Sequence, residues 1–143
     1  MGMLYLLFKK DYFKSTVKNG IVELNALQFM VKQEKENAIY LLSEITDLRI
    51  YFNSYKDMQN GKARFDGDDN TISFRYNGVK NEFQFDVDSL QHQEELKVLL
   101  GTFYEKGIKF KEYFRGQRSF MHRTNLSFKE VQEFKAKYNA EWV

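Results

Sequence analysis

The sequence contains no cysteine and no proline, and only two histidines. Without cysteine there is no disulfide, no thiolate metal site and no sulfur nucleophile. Without proline there is no cis-proline switch and no polyproline recognition segment. Two histidines are too few for a multi-histidine metal centre. No run approaches the roughly 18 apolar residues that a membrane-crossing helix needs. Residues 4–8 are apolar but too short for a signal-peptide core with a cleavage site. The opening Met1-Gly2-Met3 reads as an added junction, so native residues are expected upstream; whether a membrane anchor is among them stays open.

The motifs that carry common chemistries are absent too. There is no GxGxxG, no P-loop, no HExxH and no CxxC. His92 and His122 have no catalytic partner nearby in sequence and are expected on the surface. Asp66-Gly67-Asp68-Asp69-Asn70 is acidic enough to suggest calcium, but an EF-hand loop needs a central glycine and a glutamate at its twelfth position. Here the glycine is second and the twelfth residue is Asn77. An acidic turn is expected instead. The chain is therefore expected to be non-catalytic, with no catalytic, cofactor-binding or metal-binding residues.

What is present is a folding composition. Of the 143 residues, 43% are hydrophobic, 29% charged and 17% aromatic. Disordered chains lack aromatics at this level. A chain of this length makes one domain and buries about two-thirds of its unfolded surface. The net charge is only +2, which argues against a dedicated nucleic-acid binder, but the charge is unevenly placed. Residues 1–32 hold five lysines against two acids, residues 33–95 seven cations against thirteen acids, and residues 96–143 ten cations against five. If the two basic flanks meet in space they form one positive surface.

Most of the chain patterns as short strands. Residues 21–32 alternate, with a phase change near Asn25-Ala26 that suggests a bulge or a corner. Gln33-Glu34-Lys35-Glu36-Asn37 is a polar turn, and residues 38–42 return as a strand. Leu48, Ile50 and Phe52 alternate with Asp47, Arg49 and Tyr51. Residues 55–70 are polar, with at most a short strand around Ala63-Arg64-Phe65. Asn77-Gly78 supplies the positive φ angles of a type I′ hairpin turn, placing Tyr76 opposite Val79, Phe74 opposite Asn81 and Ile72 opposite Phe83.

A helix over 89–105 follows. Asp88 is the expected cap with Gln91 as its reciprocal partner, Leu96, Leu99, Leu100 and Phe103 form the apolar stripe, and Gly107 ends it. Residues 108–115 alternate again, with Glu112 the odd carboxylate on the apolar side. A paired or edge-facing role is expected for it, with Arg118 as the candidate partner. The last element is a helix over about 127–140. It opens with a capping box at Ser127 and Glu130 and a staple of Leu126 and Val131, and it carries a stripe of Val131, Phe134, Tyr138 and Trp142. That stripe docks on this chain's own sheet or on another subunit, so a homodimer through this helix stays open.

The expected class is α+β, mainly β: an antiparallel bent sheet or small barrel with a capping helix and an extra C-terminal helix. The run from Gly20 to Gly107, with "LLSEITDLRIYF", "NTISFRYNGVKNEFQFDV" and "SLQHQEELKVLLGTFYEKG", resembles the pleckstrin-homology-like superfold. The tail, "IKFKEYFRGQRSFM" and "LSFKEVQEFKAKYNAEWV", is similar to the end of small Bacteroidetes-type proteins in which a soluble PH-like part follows membrane helices. The resemblance implies one PH-like domain over 1–143, with 108–143 a strand-helix extension. It also implies a non-catalytic interaction domain that binds a protein partner or an anionic membrane surface. The expected location is the cytoplasm, the inner face of the membrane included.

Between Lys106 and Arg123 stand six cations and one acid. Lys109, Lys111, Tyr113 and Arg115 are expected on one strand face, with Arg118 nearby. Such a face suits lipid phosphates or single-stranded nucleic acid stacked on Tyr113. It also suits a plain solvated edge on which lysines block unwanted strand pairing. Specific nucleic-acid recognition is not expected. The alternative function is a small apolar ligand held in a cavity lined by Phe and Tyr.

Overall fold

The computed structural model describes residues 12–143. The readings placed on residues 1–3 and 4–8 lie outside the described residues. The chain opens with four antiparallel strands, β1 (Tyr12–Val17), β2 (Gly20–Asn25), β3 (Gln28–Gln33) and β4 (Glu36–Leu41), joined by two-residue turns. The first of these strands has no counterpart in the sequence reading. Its signal is Asn19-Gly20, with Asn19 at φ 63°, after the alternating Phe13, Ser15 and Val17. The phase change at Asn25-Ala26 is neither bulge nor corner but a hairpin turn. The Asn25 side-chain oxygen accepts from the Leu27 and Gln28 amides at 2.8 and 3.0 Å, an Asx turn that reverses the chain.

A short 3₁₀ turn (Leu42–Glu44) leads to β5 (Ile45–Phe52). A small hairpin, β6 (Gln59–Asn60) with β7 (Ala63–Arg64), stands apart as its own two-stranded sheet. The hairpin of β8 (Asn70–Tyr76) and β9 (Val79–Phe85) turns at Asn77-Gly78 in the expected register, Tyr76 opposite Val79 and Ile72 opposite Phe83. Both turn residues have positive φ, as the type I′ turn demands.

Helix α1 (Leu90–Glu105) buries Leu96, Leu99, Leu100 and Phe103, the expected stripe, together with Tyr104. Its cap is Ser89 rather than Asp88: the serine oxygen accepts from the His92 amide at 3.1 Å. The place expected for Gln91 belongs to His92, whose Nδ1 accepts from the Asp88 amide at 3.0 Å. The helix ends in a Schellman motif. Gly107, at φ 72°, donates to Tyr104 O while Ile108 donates to Phe103 O.

Three further strands follow: β10 (Lys111–Phe114), β11 (Gln117–Phe120) and β12 (Arg123–Thr124). Ten strands make one sheet in the order β12-β11-β10-β5-β8-β9-β1-β2-β3-β4. The protein is thus α+β and mainly β, with a bent sheet, but two expectations need correction. The sheet is mixed, because β10 runs parallel to β5. It is also not closed into a barrel. One side of β5 is paired with β8 and the other is taken by β10, so β5 has no edge left with which to meet β4. Residues 108–143 add three strands to this sheet and Phe110, Phe134 and Ala140 to its core.

Helix α2 (Phe128–Tyr138) forms with its full capping box and stops at Asn139 in the left-handed region, two residues short of 140. It docks within the chain. Phe134 meets Tyr104 edge-on at 4.8 Å and Phe120 at 5.4 Å. Where the two helices approach, α1 carries Gly101; a Cβ there would stand 2.9 Å from the Met121 methyl. Trp142 lies beyond the helix, stacked on Tyr104 at 5.4 Å. No helix among the described residues is long and apolar enough to cross a membrane.

Candidate functional site

The seam between β5 and β10 gathers most of the candidate residues. Parallel pairing sets Lys111 beside Arg49 and Tyr113 beside Tyr51. Side chains alternate from the two residues before β10 into the strand, so Phe110 and Glu112 are buried while Lys109 and Lys111 are exposed. The two tyrosine rings stack at 4.8 Å and 12°. The outer face of the seam therefore carries an aromatic pair flanked by cations. Arg49 belongs to it although the sequence reading left it out, because nothing local announces a parallel neighbour fifty or more residues away.

β5 is not regular at this point. Its register against β8 shifts between Thr46 and Arg49, and Asp47 takes φ 52°. This bulge turns Asp47 back toward Arg49, whose Nε donates to Asp47 Oδ1 at 2.9 Å. That hydrogen bond first, then the Tyr51 side chain, pushes the guanidinium above its ordinary value.

Beside the bulge lies an open hollow of about 320 Å³, with Leu48, Phe110 and Trp142 as walls and Lys109, Lys111 and Arg118 around it. Asp47 and Val143 complete the lining. Arg118 stands opposite Tyr113 in the β10–β11 ladder. Its guanidinium lies 5.0 Å from the centre of the Phe120 ring, and its Nε is buried with no hydrogen-bond acceptor among the described residues. No carboxylate among the described residues lies within ion-pair distance of Lys109, Lys111 or Arg118.

Arg115 is not part of this group. With Gly116 it forms the β10–β11 turn, both residues at positive φ. Its Nε donates to Asn53 O at 3.2 Å and its guanidinium lies over the Phe65 ring at 4.6 Å. Of the five residues singled out, Lys109, Lys111, Tyr113 and Arg118 share the seam region, and Arg115 points to the β6–β7 side.

Behind the outer face is a buried polar cluster centred on Glu112, which is 1% exposed. Its carboxylate accepts from Tyr104 Oη and Ser119 Oγ, each at 2.8 Å, from the His122 amide at 2.7 Å and from the Met121 amide. His122 Nδ1 stands at 3.2 Å. The partner is thus His122, not Arg118. Met121 and His122 form the two-residue β11–β12 turn, both with positive φ, which aims two consecutive amides at one carboxylate. Burial pushes the Glu112 carboxyl up, but the hydrogen bonds and charge of His122 and the Ser119 hydroxyl outweigh it and hold it below the ordinary range. Burial, followed by the adjacent carboxylate, drives the Tyr104 phenol far upward; Arg118 pulls the other way.

Both histidines depart from the surface positions expected of them. The His92 side chain is 12% exposed and His122 5%. His92 stacks on Phe13 at 4.5 Å, and its Nε2 meets Lys14 O at 2.8 Å. With Nδ1 accepting from the Asp88 amide and Nε2 facing the Lys14 carbonyl, it ties α1 to β1.

The acidic stretch before β8 is a structured turn. Asn70 is buried and accepts from the Asn53 and Ser54 amides while donating to Ser54 O and Gly67 O. The chain matches no protein-family model. It matches no curated protein either.

Proposed function

We propose that the protein is a non-catalytic interaction domain that uses the outer face of the β5–β10 seam to bind an anionic partner, either an acidic protein surface or an anionic membrane. The observation that carries this reading is the set of cations at the seam without carboxylate partners, Lys109, Lys111 and Arg118, beside the stacked Tyr51–Tyr113 pair. Cations that serve only solubility are commonly interspersed with acids; here Asp47, which lines the hollow, pairs with Arg49, and Glu112 is buried behind the face. The PH-like reading and a place at the cytoplasmic face of a membrane belong to the same proposal and rest on the sequence resemblance. The small-ligand alternative draws less support. The gap among Phe13, Leu24, Phe29 and Leu96 inside the core is only about 10 Å³, against roughly 300 Å³ or more for ligand cavities.

Co-sedimentation with phosphatidylglycerol vesicles at low salt tests the membrane branch. Binding is expected to fade as the Debye length shrinks. Replacing Lys109 and Lys111 by Gln should remove about 2 kcal/mol, roughly thirtyfold, at about 1 kcal/mol per cation. Arg115→Gln should do less, since that side chain is engaged elsewhere. Salt-insensitive binding that the double variant leaves unchanged would overturn the assignment of this face.

A further inference from the structure

The hollow beside the Asp47 bulge has two chemically distinct halves. One is apolar: Leu48 and Phe110, both 4% exposed, and the Trp142 ring. Trp142 is fixed by its stack on Tyr104 and by a hydrogen bond from Nε1 to Tyr104 O at 3.3 Å, so the wall is preformed. The other half is cationic. Lys109 and Lys111 stand exposed, and Arg118 presents a guanidinium whose Nε is buried without an acceptor. A planar guanidinium fork matches a carboxylate better than a lysine does. Asp47, in the same lining, turns one carboxylate oxygen to Arg49 and makes no ion pair with Arg118.

Resting on the reading of the seam as a partner-binding face, we propose that this hollow receives an acidic side chain flanked by an apolar one, presented by a segment of a partner protein. The carboxylate would meet Arg118, with the two lysines strengthening the local field. The neighbouring apolar side chain would lie against Phe110 and Trp142. An open hollow suits a protruding side chain better than a free small molecule, which binds where most of its surface can be enclosed. A bilayer surface would use the lysines but has no particular need of the fork or the aromatic wall.

Trp142 is the only tryptophan in the chain, so its emission reports on this hollow directly. The probe is a ten-residue peptide with a central Asp-Phe-Glu-Leu, titrated to millimolar concentration beside three controls. These are the same peptide with Asn and Gln for the acids, the same with Ser for the apolar residues, and phenylpropionate as a free acid. A saturable shift is expected for the parent peptide, with each peptide control and the free acid about tenfold weaker or more. Arg118→Gln should weaken the parent by a similar factor, and Arg118→Lys should recover only part. Lys109→Gln, at an exposed position, keeps the test valid if Arg118 variants melt early; it should weaken the parent and spare the Asn/Gln control. No shift at millimolar peptide overturns the proposal. So does an equal response to the Ser control, which leaves the charged face standing but not the two-part hollow. A shift produced by phosphatidylglycerol vesicles and not by peptide assigns the site to a membrane instead. Absence of any response to peptide or vesicle removes the seam reading together with the proposal.

Discussion

Glu112 shows how much one residue can carry. A carboxylate with 1% exposure is costly to bury, and here two hydroxyls, two amides and an imidazole meet it. Glu112→Gln keeps the shape but turns an amide group toward donors, and should cost about 3 kcal/mol in denaturant unfolding. The pH dependence has a definite sign. The folded carboxyl titrates below its ordinary value, so its contribution is complete above the unfolded value near 4.3 and is lost as pH falls through the folded one. Acid titration of stability should therefore be flatter in Glu112→Gln than in the parent; parallel curves would contradict the account. The sequence shows Glu112 as an odd carboxylate among Ile108, Phe110 and Phe114, so its need of a partner was legible, though not the depth of its burial. Its partner was not, because Met121 and His122 take positive φ without a glycine or asparagine to signal it.

At the scale of elements, local chemistry was the better guide. The Asn77-Gly78 hairpin, the α1 stripe, the Schellman end at Gly107 and the Ser127–Glu130 capping box all form where side-chain pattern and turn residues agreed. Helix α2 is short, and a helix of this length needs tertiary contact to persist. Its contact is intramolecular, through Phe134 against Tyr104 and Phe120. Phe134→Ala should cost about 3 kcal/mol or more, with the solution mass measured by light scattering unchanged. A fall in mass without loss of stability would mean that the helix joins copies of the chain instead. What the pattern could not show was the bulge at Asp47. A single non-glycine residue at positive φ leaves the alternation of Leu48, Ile50 and Phe52 intact to the eye while re-aiming the side chains beside it.

For the molecule as a whole, the decisive feature is non-local. β10 returns after a 16-residue helix and pairs in parallel with β5. This connection leaves β5 without a free edge, keeps the sheet from closing and builds the seam on which Arg49, Lys111, Tyr51 and Tyr113 meet. No turn signal encodes such a pairing; it follows from covering one face of the sheet with α1 and returning the chain on the far side of it. The claim that this seam is the binding face is tested most directly by amide NMR during titration with a ten-residue polyglutamate at low salt. Shifts should concentrate at Arg49, Lys109, Lys111, Tyr113 and Arg118 and should disappear at about 0.5 M salt, where screening is short-ranged. Shifts centred on β3 and β4 or on the lysines of α2, or no shifts at any residue, would contradict it.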